Sequence, residues 1–152
     1  MRRVTDADER ARLCQHVLRA LPEWFGIEAA TAAYVEAVRS LETFAVDDAG
    51  FVTVKQHSPR AAEVYVMGVL PERHRRGVGT ALLRAAEDAL RERGVEYLQV
   101  KTLGPSHESS HYAETRQFYE RRGFVPLEKF PDFWPGNPCL LLVKRIEGAA
   151  AS

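Results

Sequence analysis

The 152 residues predict a mixed α/β domain with helices packed on a central sheet. Three observations carry this expectation. Apolar residues recur at helical spacing through the first 41 positions, and the period then falls to two across residues 42–70. From there on, helical and extended segments alternate.

The elements follow in order. Asp6 with Glu9 three residues on resembles a capping box, and Cys14, Val17, Leu18 and Leu21 behind it share one helical face. "LPEWFG" (21–26) breaks that helix, and a second begins near Glu28 with Thr31, Tyr34, Val38 and Leu41 on one side. "ETFAV" (42–46), a "DDAG" turn and "FVTVKQ" (51–56) read as a hairpin, and "SPRA" turns into a third strand, "EVYVMGVL" (63–70). After "PERHRRGVG" comes a helix over 80–93, striped by Leu82, Leu83, Ala86 and Leu90 and stopped by Gly94. "VEYLQVKT" (95–102) is a strand and "LGPSHESS" a loop. The helix over 111–122 puts Thr115, Phe118, Tyr119 and Arg122 on one face and ends at Gly123. "FVPLEKF" (124–130) and "CLLLVKR" (139–145) close the chain as strands around the Pro-rich "PDFWPGNP" (131–138). The expected order is ααβββαβαββ.

Length and composition bound the function. Residues 1–147 read as a single domain and 148–152 as a short flexible tail. Apolar residues make up 45% and charged residues 28%, which is the balance of an ordinary soluble protein. The formal net charge of zero supplies no global field for nucleic acid or an anionic membrane. "MRRVTDADER" has no apolar stretch behind its basic residues, so it reads as no secretory signal, and "CLLLV" is too short to span a bilayer. Cys14 and Cys139 form neither a C-x-x-C pair nor a disulfide framework. Together these point to the cytoplasm.

Two stretches carry chemical signals. "HESSH" (107–111) has the H-E-x-x-H spacing of a zinc peptidase, in which both histidines must share a helix face. Here it follows Gly104-Pro105, and Ser110 suits an N-cap, so the histidines straddle a helix start. No third ligand is marked by spacing, and no metal is expected. A loop beside a binding pocket, with His111 or Glu108 touching a ligand or relaying a proton, and a plain solvated loop are the remaining readings.

The second signal is "VMGVLPERHRRGVGTALL" (66–83), where a strand ends, a basic loop follows and Gly77-Val78-Gly79 opens an amphipathic helix. Glycines let amides approach a ligand, the helix N-terminus carries about half a positive charge, and Arg75 and Arg76 add counter-charge for a phosphate. Leu82 stands where a dinucleotide fingerprint needs its third glycine, and the Gly-Lys-Ser/Thr of a Walker loop is absent.

"RHRRGVGTALL" resembles the Q/R-x-x-G-x-G/A pyrophosphate loop of the GNAT superfamily of acetyl-CoA-dependent N-acetyltransferases, and "FYERRGF" (118–124) resembles its F-Y-x-x-x-G-F signature. The two come in family order with a helix and a strand between them. The likeness covers about residues 42–145. It implies a GNAT-like fold whose sheet is splayed between strands 63–70 and 95–102, admitting the cofactor's pantetheine arm. His74 stands where the family has Gln or Arg, leaving its backbone N–H to face a phosphate. Tyr112 and Thr115 stand where the family often has Asn and Ala.

The resemblance implies acetyl-CoA as co-substrate, bound by Met67, Val69, His74, Arg75, Arg76, Gly77, Val78, Gly79, Thr80, Tyr112 and Thr115. Tyr119 matches the general acid of the family by position, and Glu63 resembles the catalytic glutamate of the superfamily's histone acetyltransferases in its spacing from the loop. For Glu63 a solvated strand-edge residue is the competing reading. Gly68 allows either a bulge or close side-chain packing. Trp24, Phe25, His111 and Trp134 are candidate substrate contacts, with Phe133, Asp132 and Glu23 near them in sequence; aromatics in Pro-rich loops more often pin the loop to the core. The expected activity is direct acetylation of a primary amine on a small molecule or peptide. The alternative is a non-catalytic module that binds acyl-CoA as a sensor. A homodimer is compatible with the sequence, and neither nucleic acid nor membrane is an expected partner.

Overall fold

The structure is a computed structural model that describes residues 1–103, 110–134 and 137–146. The elements are β1 (Arg2–Val4), α1 (Ala7–Arg19), α2 (Glu28–Ala37), β2 (Glu42–Val46), β3 (Gly50–Ser58), β4 (Ala61–Val69), α3 (Val78–Glu92), β5 (Tyr97–Leu103), α4 (Ser110–Arg121), β6 (Val125–Trp134) and β7 (Asn137–Arg145). The strands form one mixed sheet in the order β1-β2-β3-β4-β5-β7-β6, flanked by helices. The mixed α/β class is as the sequence predicts. No helix among the described residues is long and apolar enough to cross a membrane.

Two compact units divide the chain: Met1–Lys55 with Val64–Ala89, and Gln56–Glu63 with the residues from Leu90 onward. In the first, Asp6 caps α1 by accepting from the Glu9 amide at 2.9 Å, while the Glu9 carboxylate pairs with Arg2. The stripe of α1 buries Cys14, Val17 and Leu18, and Leu21 just past its end, with Phe51 and Val66 of the sheet. Burial raises the Cys14 thiol to about 12, so this cysteine is an inert core residue. Thr43 and Thr53 face each other across β2 and β3, and their buried hydroxyls satisfy one another at 2.9 Å.

Gly68 is explained by this packing. A Cβ there would meet Val17 Cγ1 at 2.8 Å and Leu21 Cδ1 at 3.2 Å, so β4 needs a residue without a side chain where α1 crosses it. Close packing, one of the two sequence alternatives, accounts for this glycine. Gly68→Ala is expected to lower unfolding free energy by about 1–3 kcal/mol, the usual cost of overpacking, as read by urea denaturation. Unchanged stability would mean that α1 and β4 yield at no cost.

In the second unit β7 lies between β5 and β6, with Lys101 opposite Leu141 and Leu103 opposite Cys139. Both helices that end in this unit stop in the same way. The Gly94 amide bonds Arg91 O and the Val95 amide bonds Leu90 O; the Gly123 amide bonds Glu120 O and the Phe124 amide bonds Tyr119 O. These are Schellman caps, with glycine at φ +86° and +95° in the left-handed region.

The structure corrects the prediction at one added element and one boundary. β1 is missing from the predicted order because its three residues are too few to show alternation; Arg10 secures it by donating to Val4 O at 2.8 Å and Arg39 O at 2.9 Å. The strand predicted over 124–130 instead runs on to Trp134 as β6. Pro126 and Pro131 obscured that strand, and β6 tolerates them because it is the outermost strand of the sheet order. His107, Glu108 and Ser109 and the 148–152 tail lie outside the described residues.

Candidate active site

The loop after β4 is built from tight turns. Leu70 N–H bonds Ala49 O at 2.7 Å, and residues 71–73 form a single 3-10 turn closed by His74 N–H to Pro71 O at 3.2 Å. That bond corrects the expectation of an outward-facing amide at His74. The His74 ring pins the loop, with Nε2 donating to Val69 O at 2.7 Å and Trp24 edge-on at 5.8 Å.

Beyond His74 the chain changes character. Arg75 has φ +63° and Gly77 φ +78°, so left-handed residues flank Arg76, a backbone pattern from which anion-binding concavities of amides form. The first i→i−4 bond of α3 runs from Ala81 N–H to Gly77 O at 3.0 Å, so the amides of residues 78–80 point out of the helix N-terminus. Arg75, Arg76 and Gly77 are exposed, and a Cβ added to Gly77 would meet nothing within 4 Å. The loop thus combines positive helix polarity, two cationic side chains and open space, and its residues fit a diphosphate. Met67 and Val69, at the end of β4, are half-buried.

Glu63 sits in the second unit and is buried, with its side chain 8% exposed. This removes the solvated strand-edge reading. A buried carboxylate needs partners, because an unpaired charge costs several kcal/mol to desolvate. It has two: His57 Nε2 at 2.6 Å and Lys101 Nζ at 3.5 Å, both on Oε1. Lys101 also lies over the Phe133 ring at 5.4 Å, and Phe133 stacks edge-to-face with Trp134 at 5.2 Å. One chain of contacts therefore joins Glu63 to the aromatic end of β6. Burial pushes the Cys139 thiol above its ordinary value, Lys101 opposes that rise and Glu63 adds to it, which leaves a thiol poorly suited to nucleophilic work.

Tyr119 is buried on α4, with its ring edge-on to Phe118 at 5.2 Å and to Phe124 at 5.3 Å. The contact with Phe124 is the hydrophobic closure of the Schellman cap, so F-Y-x-x-x-G-F is in part a helix-stop signal that fixes the tyrosine. Burial pushes the phenol well above its ordinary value, and the hydroxyl keeps its proton at neutral pH. Thr115 donates its hydroxyl proton to His111 O at 3.1 Å. His111 and Tyr112 are half-buried in the first turn of α4.

Trp24 and Phe25 pack on the core of the first unit, with Phe25 edge-on to Tyr34 at 6.1 Å, so loop pinning accounts for both. Trp134 is half-buried; Phe133, Asp132 and Glu23 are exposed. Sequence reasoning missed His57 and Lys101. The available signal was a lysine inside the "YLQVKTL" strand, and a histidine at the neck of the β3–β4 hairpin where Glu63 returns.

A strand, a tight glycine turn and an exposed helix N-terminus, set in a mixed α/β fold, suit a phosphate-bearing cofactor. The family model for the acetyltransferase (GNAT) domain matches residues 39–126, and the chain belongs to that family, whose acyl donor is acetyl-CoA. A mycothiol acetyltransferase of Beutenbergia cavernae is 40% identical over 65 residues, which are 43% of this chain and 20% of that protein. The chain thus spans about a fifth of the length of that curated relative. A GNAT-family protein from Desulfovibrio desulfuricans has the same fold, with TM-score 0.79 and 22% identity over 95% of this chain and 97% of the other. Nourseothricin acetyltransferase superposes with TM-score 0.60 and 28% identity over 69% of this chain and 65% of the other.

Proposed function

We propose that this protein transfers the acetyl group of acetyl-CoA directly to a primary amine of a small molecule. The observation that carries the reading is the amide-lined, arginine-flanked N-terminus of α3, which suits the diphosphate of coenzyme A. Arg75, Arg76 and the amides of residues 78–80 hold the diphosphate, and the backbone of Met67 and Val69 faces the pantetheine arm. Tyr112 and Thr115 complete the cofactor contacts. The mycothiol and nourseothricin acetyltransferases both carry small-molecule names, which favours a small-molecule acceptor over a peptide.

The chemistry sets the remaining roles. An ammonium with pKa near 10.4 becomes neutral at pH 7 at a cost of about 4–5 kcal/mol, so a base must take its proton. Glu63 is that base. The neutral amine attacks the thioester carbonyl, the C–S bond breaks, and the departing thiolate takes the proton of Tyr119, which stays protonated until that step. Phe133 and Trp134 line the acceptor side, beside Lys101.

Thiol release from acetyl-CoA with spermidine, kanamycin, free amino acids and a peptide with an open N-terminus tests the reading. Amine-dependent release is expected for a small amine. Coenzyme A binding without release for every amine would contradict transfer and leave the sensor module.

A further inference from the structure

The two oxygens of Glu63 are not equivalent. His57 and Lys101 both bond Oε1, at 2.6 Å and 3.5 Å, and Oε2 receives no hydrogen bond from the described residues. A carboxylate anchored through one oxygen cannot turn without breaking its short bond, so its other oxygen keeps a fixed direction and an open lone pair. The short bond belongs to His57, which stands at the end of β3, six residues before Glu63, with its side chain 39% exposed. Facing a carboxylate at this distance, Nε2 carries the proton and donates it.

We infer that His57 is a positioning residue for acetyl transfer: it holds Glu63 through Oε1 and leaves Oε2 to take the proton of the acceptor ammonium. This rests on Glu63 being the base. The protons balance as follows. Oε2 takes one proton from R–NH3⁺, the amine forms the new C–N bond as the C–S bond breaks, and the tetrahedral centre sheds the amine's second proton to water. Tyr119 gives its proton to the thiolate and regains one from water, and Glu63 returns its proton to water. His57 keeps its own proton throughout. The charged or titratable groups facing Glu63 among the described residues are His57 of β3, Lys101 of β5 and Cys139 of β7. Of these His57 makes the closest contact and can be changed without touching the aromatic end of β6.

The experiment compares His57→Ala and His57→Gln with the parent in steady-state thiol release from acetyl-CoA, using the amine of the panel that turns over fastest. For His57→Ala, kcat is expected to fall about 10²-fold, the scale of a misplaced catalytic group, with KM for acetyl-CoA unchanged. Gln places an amide N–H near the Nε2 position, so His57→Gln is expected to recover most of kcat. Parental kcat in His57→Ala, or equal impairment of both variants with coenzyme A binding intact, would overturn the inference and leave the proposed function standing. A parent that releases no thiol with any amine would overturn both.

Discussion

Glu63→Gln is expected to lower kcat by roughly 10²–10⁴-fold, the range spanned by a general base, while coenzyme A affinity stays at the parental value. Glutamine keeps the size of the side chain and can still accept from His57 and Lys101 through its carbonyl oxygen, so the packing around position 63 survives. What disappears is the lone pair that takes the acceptor's proton. The deficit should shrink as pH rises toward the acceptor's own pKa, because more of the amine then arrives neutral. Stopped-assay thiol release from pH 6 to about 10 checks this. Parental turnover in Glu63→Gln would remove the carboxylate from the reaction.

Tyr119→Phe is expected to lower kcat by about 10²-fold, the low end for a general acid. The effect is smaller than at Glu63 because a thiolate with a conjugate-acid pKa near 8.5 leaves readily without help, whereas an ammonium cannot attack at all. The ring stays in its contacts with Phe118 and Phe124, and the cap bond to Phe124 uses the main-chain carbonyl, so folding is preserved. Burial holds the phenol protonated well above neutral pH, so a basic limb in the parental pH–rate profile arises elsewhere and should persist in the variant. Acetyl-CoA KM together with kcat separates the outcomes: a change in KM alone would place Tyr119 in cofactor binding only.

What was legible in the sequence was what is local in the chain. Gly123 and Phe124 lie within five residues of Tyr119, and the cap they form can be read from their order alone. Gly94 and Val95 repeat the same grammar at the end of α3. The turn at Arg75–Gly77 showed as glycine beside arginine, although the bond that occupies His74 N–H depends on a 3-10 turn that no pattern announced. The surroundings of Glu63 were not legible. Lys101 is 38 residues away, and only the pairing of strands brings the two within reach. β1 and the far end of β6 were lost for opposite reasons: one is too short to alternate, and the other carries two prolines that argue against a strand unless it lies at an edge. Gly68 could be read as a bulge or as close packing until Val17 was seen against it.

Whether the amides opening α3 hold the diphosphate of acetyl-CoA, as we propose, is decided by titrating coenzyme A into the folded protein in a calorimeter. Saturable heat for a single site is expected, weakened when Gly77→Val forbids the left-handed turn at φ +78°. No heat from a protein whose circular dichroism shows it folded, or equal affinity in the Gly77 variant, would contradict it.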